Sequence, residues 1–369
     1  MQQTWQEIFS SVSDARSHRN QKYALETILG IAIIGGLAGI DSFSGLADFA
    51  ESHHSDLKKY FDLPAQTPSH DTFQRVLDAI SPQEFYACFH EFTRRISRTF
   101  SDKIISIDGK TIRNSGADGE SSLHLVNAWS EANSLVLAQV KVDKKSNEIT
   151  AIPKILSLFD VAGKIITIDA MGAQRQICSQ IVGAGGDYVI ALKGNQGTLH
   201  ADAKLFLDDH FIEKELLQHT ENDKAHGRLE ARSAFVTEDI GFLRDHDWPG
   251  LKSIGKVVAT VTKKGVTTHE TRYYIASLPA DARRFGEIAR AHWGIENKLH
   301  WRLDVVANED SACISNENAA ENMSLIRKWA LNILHQAIDK KGRSIKSLQR
   351  KAAMSFDFLA SIVNKYLHA

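Results

Sequence analysis

Cysteine is scarce in this chain of 369 residues. Cys88, Cys178 and Cys313 are odd in number and far apart, which excludes a disulfide framework and a paired-cysteine zinc pattern and suits a reducing cytosol. A long apolar run is missing too. The longest, Ile28 to Ile40, carries four glycines and falls short of the ~20 residues a membrane span needs, so a buried helix is expected there and no membrane partner. The opening MQQTWQEIFSSVSDARSHRN has no basic start followed by an apolar core, so no secretory signal is read and a cytoplasmic location is expected. Charge of one sign is lacking as well: 44 Lys and Arg face 45 Asp and Glu, and no global field draws the chain to phosphate. The stretch from Ala320 to Ala369 is locally basic, with nine Lys or Arg against three acids. That excess fits a solvated helix face as well as a phosphate contact. Low-complexity tracts are absent, which argues against long disorder. Two phosphate motifs are incomplete. GKT at 109 to 111 has Ile104 where a P-loop needs glycine, and GAGGDY at 183 to 188 follows a helix and precedes a strand, the reverse of the dinucleotide fingerprint. A nucleotide cofactor is therefore not expected.

What is present divides the chain into three textures. Residues 1 to 97 show helical spacing through YALETILGIAIIGGLAGI, FQRVLDAI and EFYACFHEF, which predicts a separate all-helical domain. From Lys103 the pattern turns to β: KIISID, LHLVNAWS and SLVLAQVKV read as strands, AIPKILSLFDV as a helix, KIITID as a strand, AQRQICSQIVGAG as a helix and DYVIALKG as a strand. The order βββαβαβ predicts an α/β fold with a mixed sheet flanked by helices. A right-handed crossover then lays the fourth strand beside the first. Residues of about 198 to 278 interrupt this as a partly β insertion, a long helix follows Pro279, and residues 336 to 369 form a basic helical tail.

The words KIISIDGK and KIITIDAM end two buried strands in acids, Asp108 and Asp169, at the strand ends where open α/β sheets place their sites. Each acid has a plainer reading: Asp108-Gly109 as a hairpin turn, Asp169 as a helix cap. Their duplication favours a shared site. On the helix after Pro279, ~100° per residue aligns Ile288, Ile295, Leu299, Leu303 and Val306 as an apolar stripe, with His292 and Glu296 on its shoulder and Asp304 opposite. Glu296 is thus the preferred third acid, with Glu309 and Asp310 as alternatives. Three converging carboxylates need cations, and two Mg²⁺ ions, or Mn²⁺ in their place, would serve in-line phosphoryl chemistry. His292, Glu296 and His300 share fourfold spacing but lack the zinc-protease HExxH pattern. Trp293 and Trp301 read as packing residues.

IDGKTIR, IDAMGAQ, YVIALKGNQ, HGRLEARS and HWGIENKLHWRLDVVANED, in that order, closely resemble the insertion-sequence DDE transposases of the ISAs-one group, the H-repeat-associated proteins. YALETILGIAIIGGLAG and PSHDTFQRVL resemble the helical domain associated with them. The resemblance implies an RNase H-like catalytic domain over residues 98 to 335, a β-rich insertion ahead of the last acid, and a metal-dependent triad of Asp108, Asp169 and Glu296. His292 stands at the family's usual Arg place, Leu303 at its usual Lys place, and Ala307 where an aromatic is usual. It further implies double-stranded DNA as partner, both element ends and target, bound by a homodimer. Lys110, Arg113, Lys193, Asn195, Gln196, His226, Arg228 and His292 are then candidates for DNA contact. The alternatives are an RNase H-like nuclease without strand transfer and an inactive DNA-binding relic.

Overall fold

A computed structural model describes residues 2–17, 21–97, 103–115, 122–225, 228–338 and 342–367. Nine strands form one sheet: β1 (Ile104–Ile112), β2 (Leu123–Ser130), β3 (Leu135–Lys141), β4 (Ile165–Ile168), β5 (Asp187–Leu192), β6 (Leu217–Ala225), β7 (Arg228–Thr237), β8 (Ser253–Lys263) and β9 (Val266–Ala276), in spatial order β3-β2-β1-β4-β5-β9-β8-β7-β6. β1 pairs antiparallel with β2 and parallel with β4, and β4 pairs parallel with β5. The mixed sheet and the place of the fourth strand beside the first are as expected. The helices Glu148–Leu156 and Arg175–Gly183 pack one face, burying Ile152, Ile155, Ile177 and Ile181 against Ile107, Ile166 and Ile190. The helix Ala282–Gly294 covers part of the other face through Phe285, Ile288 and Ala289.

The partly β insertion extends the same sheet. β9 hydrogen-bonds antiparallel to β5, and β8, β7 and β6 follow in turn, so the same ladder runs on through it. β8 and β9 join through Lys264 and Gly265, both at positive φ (51° and 79°), the pairing that a two-residue hairpin of the right twist demands.

The N-terminal helices are where the spacing placed them, but they do not close a core alone. Leu25–Leu37 is apolar on every face, and all its residues but Glu26 are buried, as such a helix must be. It packs on Glu317–Gln336, where a Cβ on Gly36 would stand 3.3 Å from that of Ala330. Trp329 of this long helix is ringed by Phe9, Phe85, Phe89 and Phe92 at centroid distances of 5.1–5.9 Å. Leu348 of the helix Ile345–Met354 and Leu359, Ile362 and Val363 of Phe356–Leu367 enter the same core. Two of the nine basic residues in the basic C-terminal stretch, Arg327 and Lys328, are therefore buried rather than displayed.

Glu317–Gln336 also covers β3, the edge strand. Asn332 Oδ1 accepts from the Val136 N–H and Asn332 Nδ2 donates to the Val136 carbonyl, both at 2.8 Å, so a side chain completes the edge ladder and blocks further strand addition. Asn332→Ala leaves both backbone groups without partners and is expected to cost roughly 2–4 kcal/mol, read as a lower urea midpoint at unchanged slope.

Candidate active site

The site begins with a register. Ile107 pairs with Ile168 in the parallel β1–β4 ladder, so Asp108 and Asp169 stand one residue past the same rung, on strands about 4.8 Å apart. Asp108 does not sit in a hairpin: β1 continues through Gly109 to Ile112. Asp169 does serve as a cap, though of the short 3₁₀ turn Ala170–Gly172. Its Oδ1 accepts from the N–H groups of Met171 (3.0 Å) and Gly172 (3.4 Å), which fixes the carboxylate where the strand ends. The next helix, Arg175–Gly183, is capped from Gln174 without a side-chain bond.

The third sequence-selected acid lies on a π-helical segment, Ile295–His300, that continues Ala282–Gly294 and passes into Trp301–Val305. Ile288, Ile295, Leu299 and Leu303 are fully buried along it, which leaves Glu296 exposed on the shoulder, near enough for its charge to act on Asp108. The wider turn inserts a residue and sets later positions back by about 100°. Asp304 accordingly does not point away but meets Lys110 Nζ at 2.5 Å. The helix ends at Val305; Asn308 takes a left-handed conformation (φ 49°), and Glu309 and Asp310 lie in the turn beyond. Both are bound to the same ammonium, Lys110 Nζ standing 3.0 Å from Asp310 and 3.9 Å from Glu309. Glu309 further accepts from Ser324 Oγ at 2.7 Å, and Lys328 bonds Ser324 and Gln139. These three acids thus share an internal cation.

A fourth carboxylate joins the two aspartates. Glu148, the first residue of Glu148–Leu156 after the Asn147 cap, reaches over Gly109, and its Oε1 accepts from His124 Nε2 at 2.8 Å. Nothing in its sequence setting distinguishes it from an acid placed to favour a helix N-terminus. Burial, then the charges of Glu148, Asp169 and Glu296, push the Asp108 carboxyl up to about 8. Burial and then Glu148 raise that of Asp169 as well. His300 Nδ1 stands 3.6 Å from Asp108 Oδ2, and burial holds His300 down to about 3, so it is a neutral neighbour and no counter-charge.

The proposed DNA contacts fare differently. Lys193 is exposed and its charge reaches Asp169. Arg113 is exposed, with its Nε 3.4 Å from Asp310. Arg228 bonds Glu230 at 2.5 Å in a cleft of ≈ 380 Å³ lined also by His219, Arg232, Arg272, Arg290 and Glu296. Lys110 is buried and committed to carboxylates, so it presents nothing to a ligand. His292 is drawn inward onto Thr167 Oγ1 (3.2 Å), and burial lowers it to about 4. Asn195 and Gln196 turn to the carbonyls of Ala170 (2.6 Å) and Ala173 (2.7 Å), bracing the Asp169 turn. His226 lies outside the described residues. Trp293 stacks under the Arg272 guanidinium at 3.7 Å, whereas Trp301 is more than half exposed and does not pack inward.

Among the described residues, no three His, Cys, Asp or Glu side chains are gathered closely enough to hold a metal ion by themselves. The donor set is nonetheless the kind that hard divalent ions take: all-oxygen, sulfur-free, and held by one or two carboxylates while water and substrate phosphate supply the rest. In the metal-free protein, folded Asp108 keeps a proton that the unfolded chain releases in the ordinary carboxylate range, so stability declines as pH rises through that range to about 8. Asp108→Asn cannot ionise. In EDTA-treated protein it is expected to raise the Tm at pH ~8.5 by at least about 2 °C and to flatten the fall in Tm between pH ~5 and ~8.

Residues 99–333 match the transposase DDE domain family, and residues 6–93 match the family described as DDE_Tnp_1-associated. Among similar proteins of Escherichia coli strain K12, "Putative protein YbfL" is 41% identical and "H repeat-associated putative transposase YhhI" 40%, each match covering 97% of both chains. "Putative transposase YncI" of Escherichia coli O157:H7 is 38% identical, over 97% of this chain and 93% of its own. DDE transposases generally work with divalent metal. A match of this extent, on a mixed sheet that sets two acids side by side, shows that the chain belongs to the DDE transposases and is a DNA transposase of an insertion sequence.

Proposed function

We propose that the protein binds the ends of its element as a homodimer in the cytoplasm, cuts a phosphodiester bond at each end, and joins the freed 3′-hydroxyl to target DNA. Asp108, Asp169 and Glu296 would hold Mg²⁺, with Mn²⁺ able to replace it. The observation that carries this reading is the contrast between two groups of acids. Asp304, Glu309 and Asp310 have Lys110 among them, whereas Asp108 and Asp169 are raised by burial and then by their carboxylate neighbours, and have no cation in hydrogen-bond contact among the described residues. A desolvated acid cluster left without an internal cation is arranged for an external one.

Bound divalent ions would lower the pKa of an attacking water or 3′-hydroxyl and stabilise the departing oxygen of an in-line displacement. The chain's own part is placement. The β1–β4 ladder fixes two acids, the cap at Met171 and Gly172 leaves Asp169 Oδ2 free of that duty, and Glu296 approaches from the helix layer. Lys193, exposed beside Asp169, is set to meet a phosphate oxygen. Arg113 and Arg228 are further phosphate contacts. In cleavage, water oxygen bonds to phosphorus as the P–O3′ bond breaks; in joining, the 3′-oxygen takes the place of water. Pairing two ends calls for two copies of the chain.

Asp108→Ala, Asp169→Ala and Glu296→Ala should each lower Mg²⁺-dependent cleavage of end-bearing duplex by at least ~10³-fold while gel-shift affinity for the same duplex stays within a few-fold. Cleavage persisting in all three variants would remove the triad. Pre-cut ends that fail to join target DNA would instead leave a nuclease.

A further inference from the structure

We infer that Glu148 is a fourth metal-ligating carboxylate of this centre, held in place by a hydrogen-bond relay from Thr111 through His124. The inference rests on the reading that Asp108 and Asp169 hold divalent metal. Thr111 and His124 are register partners on β1 and β2, and Thr111 Oγ1 lies 2.7 Å from His124 Nδ1. His124 Nε2 lies 2.8 Å from Glu148 Oε1. With the neutral Nε2–H tautomer every partner is satisfied: the threonine hydroxyl donates to Nδ1, and Nε2–H donates to the carboxylate. The imidazole thereby fixes one oxygen of Glu148, and among the described residues the other, Oε2, accepts no hydrogen bond.

Gly109 supplies the second line of argument. It lies within β1, at a φ that any residue can adopt, so no turn explains it. A Cβ there would stand 2.1 Å from Glu148 Oε1 and 2.7 Å from His124 Nε2. The residue beside Asp108 is therefore bare so that the Glu148–His124 pair can lie against the strand. An acid serving only the helix N-terminus gains from proximity to backbone N–H groups and would relax toward solvent, away from other carboxylates. Glu148 instead has a side chain only 15% exposed and is turned over Gly109, the residue next to Asp108. Side chains alternate across a strand, so Asp108 and Gly109 look to opposite faces. Bare Gly109 accordingly opens β1 to the layer of Glu148–Leu156, opposite that of Glu296, and it is from this side that Glu148 would reach the ion. A cleft of ≈ 330 Å³ bordered by His124, Glu148, Met171, Lys141 and Lys144 leads to it from solvent.

Glu148→Gln is nearly isosteric and still accepts from His124, which makes it the informative variant. Mn²⁺ titrated into full-length protein and followed by the EPR signal of free Mn²⁺ should show at least about tenfold weaker binding in Glu148→Gln, and a loss of roughly tenfold in His124→Ala, the low end of what losing an orienting outer-shell partner brings. Circular dichroism melts within a few degrees of the parent would establish that each variant is folded. Glu148→Gln binding Mn²⁺ as the parent does, while Asp108→Asn loses it, would overturn the role of Glu148 and leave the metal centre standing. Parental binding in both variants, or no binding by the parent, would overturn the inference together with the reading beneath it.

Discussion

The parallel contact between β1 and β4 is the constraint on which the rest of the molecule depends. Four residue pairs, Ile104–Ile165 to Ile107–Ile168, set the register. A slip by one residue would turn one aspartate to the opposite face of the sheet. The ladder is short, and polar side chains reinforce it. Thr167 Oγ1 donates to Ser106 Oγ at 3.1 Å, Ser106 Oγ donates to the Ala291 carbonyl at 3.3 Å, and His292 Nδ1 meets Thr167 at 3.2 Å. Kept neutral by burial, His292 donates from Nδ1 and completes the set. This polar column ties both strands to the helix that leads to Glu296, so the residues fixing the register also fix the approach of the third acid.

Acids crowd both sides of this column, and the protein treats them differently. Asp304, Glu309 and Asp310 converge on Lys110, with Lys328 behind them, itself lowered to about 8 by burial. Their joint arrangement is a buried ionic network whose worth is geometric more than energetic: it anchors the chain after Val305 to β1. Among the described residues, Asp108, Asp169 and Glu148 have no ammonium or guanidinium in contact, only the imidazoles of His124 and His300 beside Glu148 and Asp108. The same stretch of β1 thus separates a closed ionic cluster, reached through Lys110, from an open one, reached through Asp108 and the space above Gly109. Strand alternation cannot by itself achieve this, because Asp108 and Lys110 share a face; the difference is that Lys110 lies deeper under the returning chain.

Much of this was legible in the sequence because strand endings and helical stripes are local properties. The repeated words ending at Asp108 and Asp169 picked out two acids that neighbouring strands set side by side, and ~100° spacing set Glu296 on the shoulder of the stripe. What escaped depends on partners distant in sequence. Lys110 resembles a basic residue beside an acid until three carboxylates nearly two hundred positions on are seen to claim it. Asn195 and Gln196 resemble ligand-binding amides until they are seen bracing the Asp169 turn. The insertion reads as a unit of its own because no periodicity records that β9 will pair with β5. Asp304 was set on the wrong side by an assumption of uniform α geometry, which the π segment breaks. Glu148 carried no local signal, only a first-turn acid after an asparagine cap.

The π segment also explains why the third acid can come from a helix at all. One helix must bury Ile288, Ile295, Leu299 and Leu303 and still deliver Glu296 to the strand ends; the wider turn allows both, and such turns recur at functional positions. Its position is pinned from the β2–β3 turn, where Glu131 bonds Lys298 and accepts from Trp129 Nε1 at 2.9 Å. Gly294 lacks the Cβ that would stand 1.9 Å from Glu131 Oε2. One residue earlier Trp293 lies under Arg272 of β9. Glu296 is therefore held between the first hairpin and the insertion. In the proposed centre, ladder and cap thus place the two aspartates from the sheet, while contacts from two separate hairpins place the helical acid, so all three positions depend on the same continuous sheet.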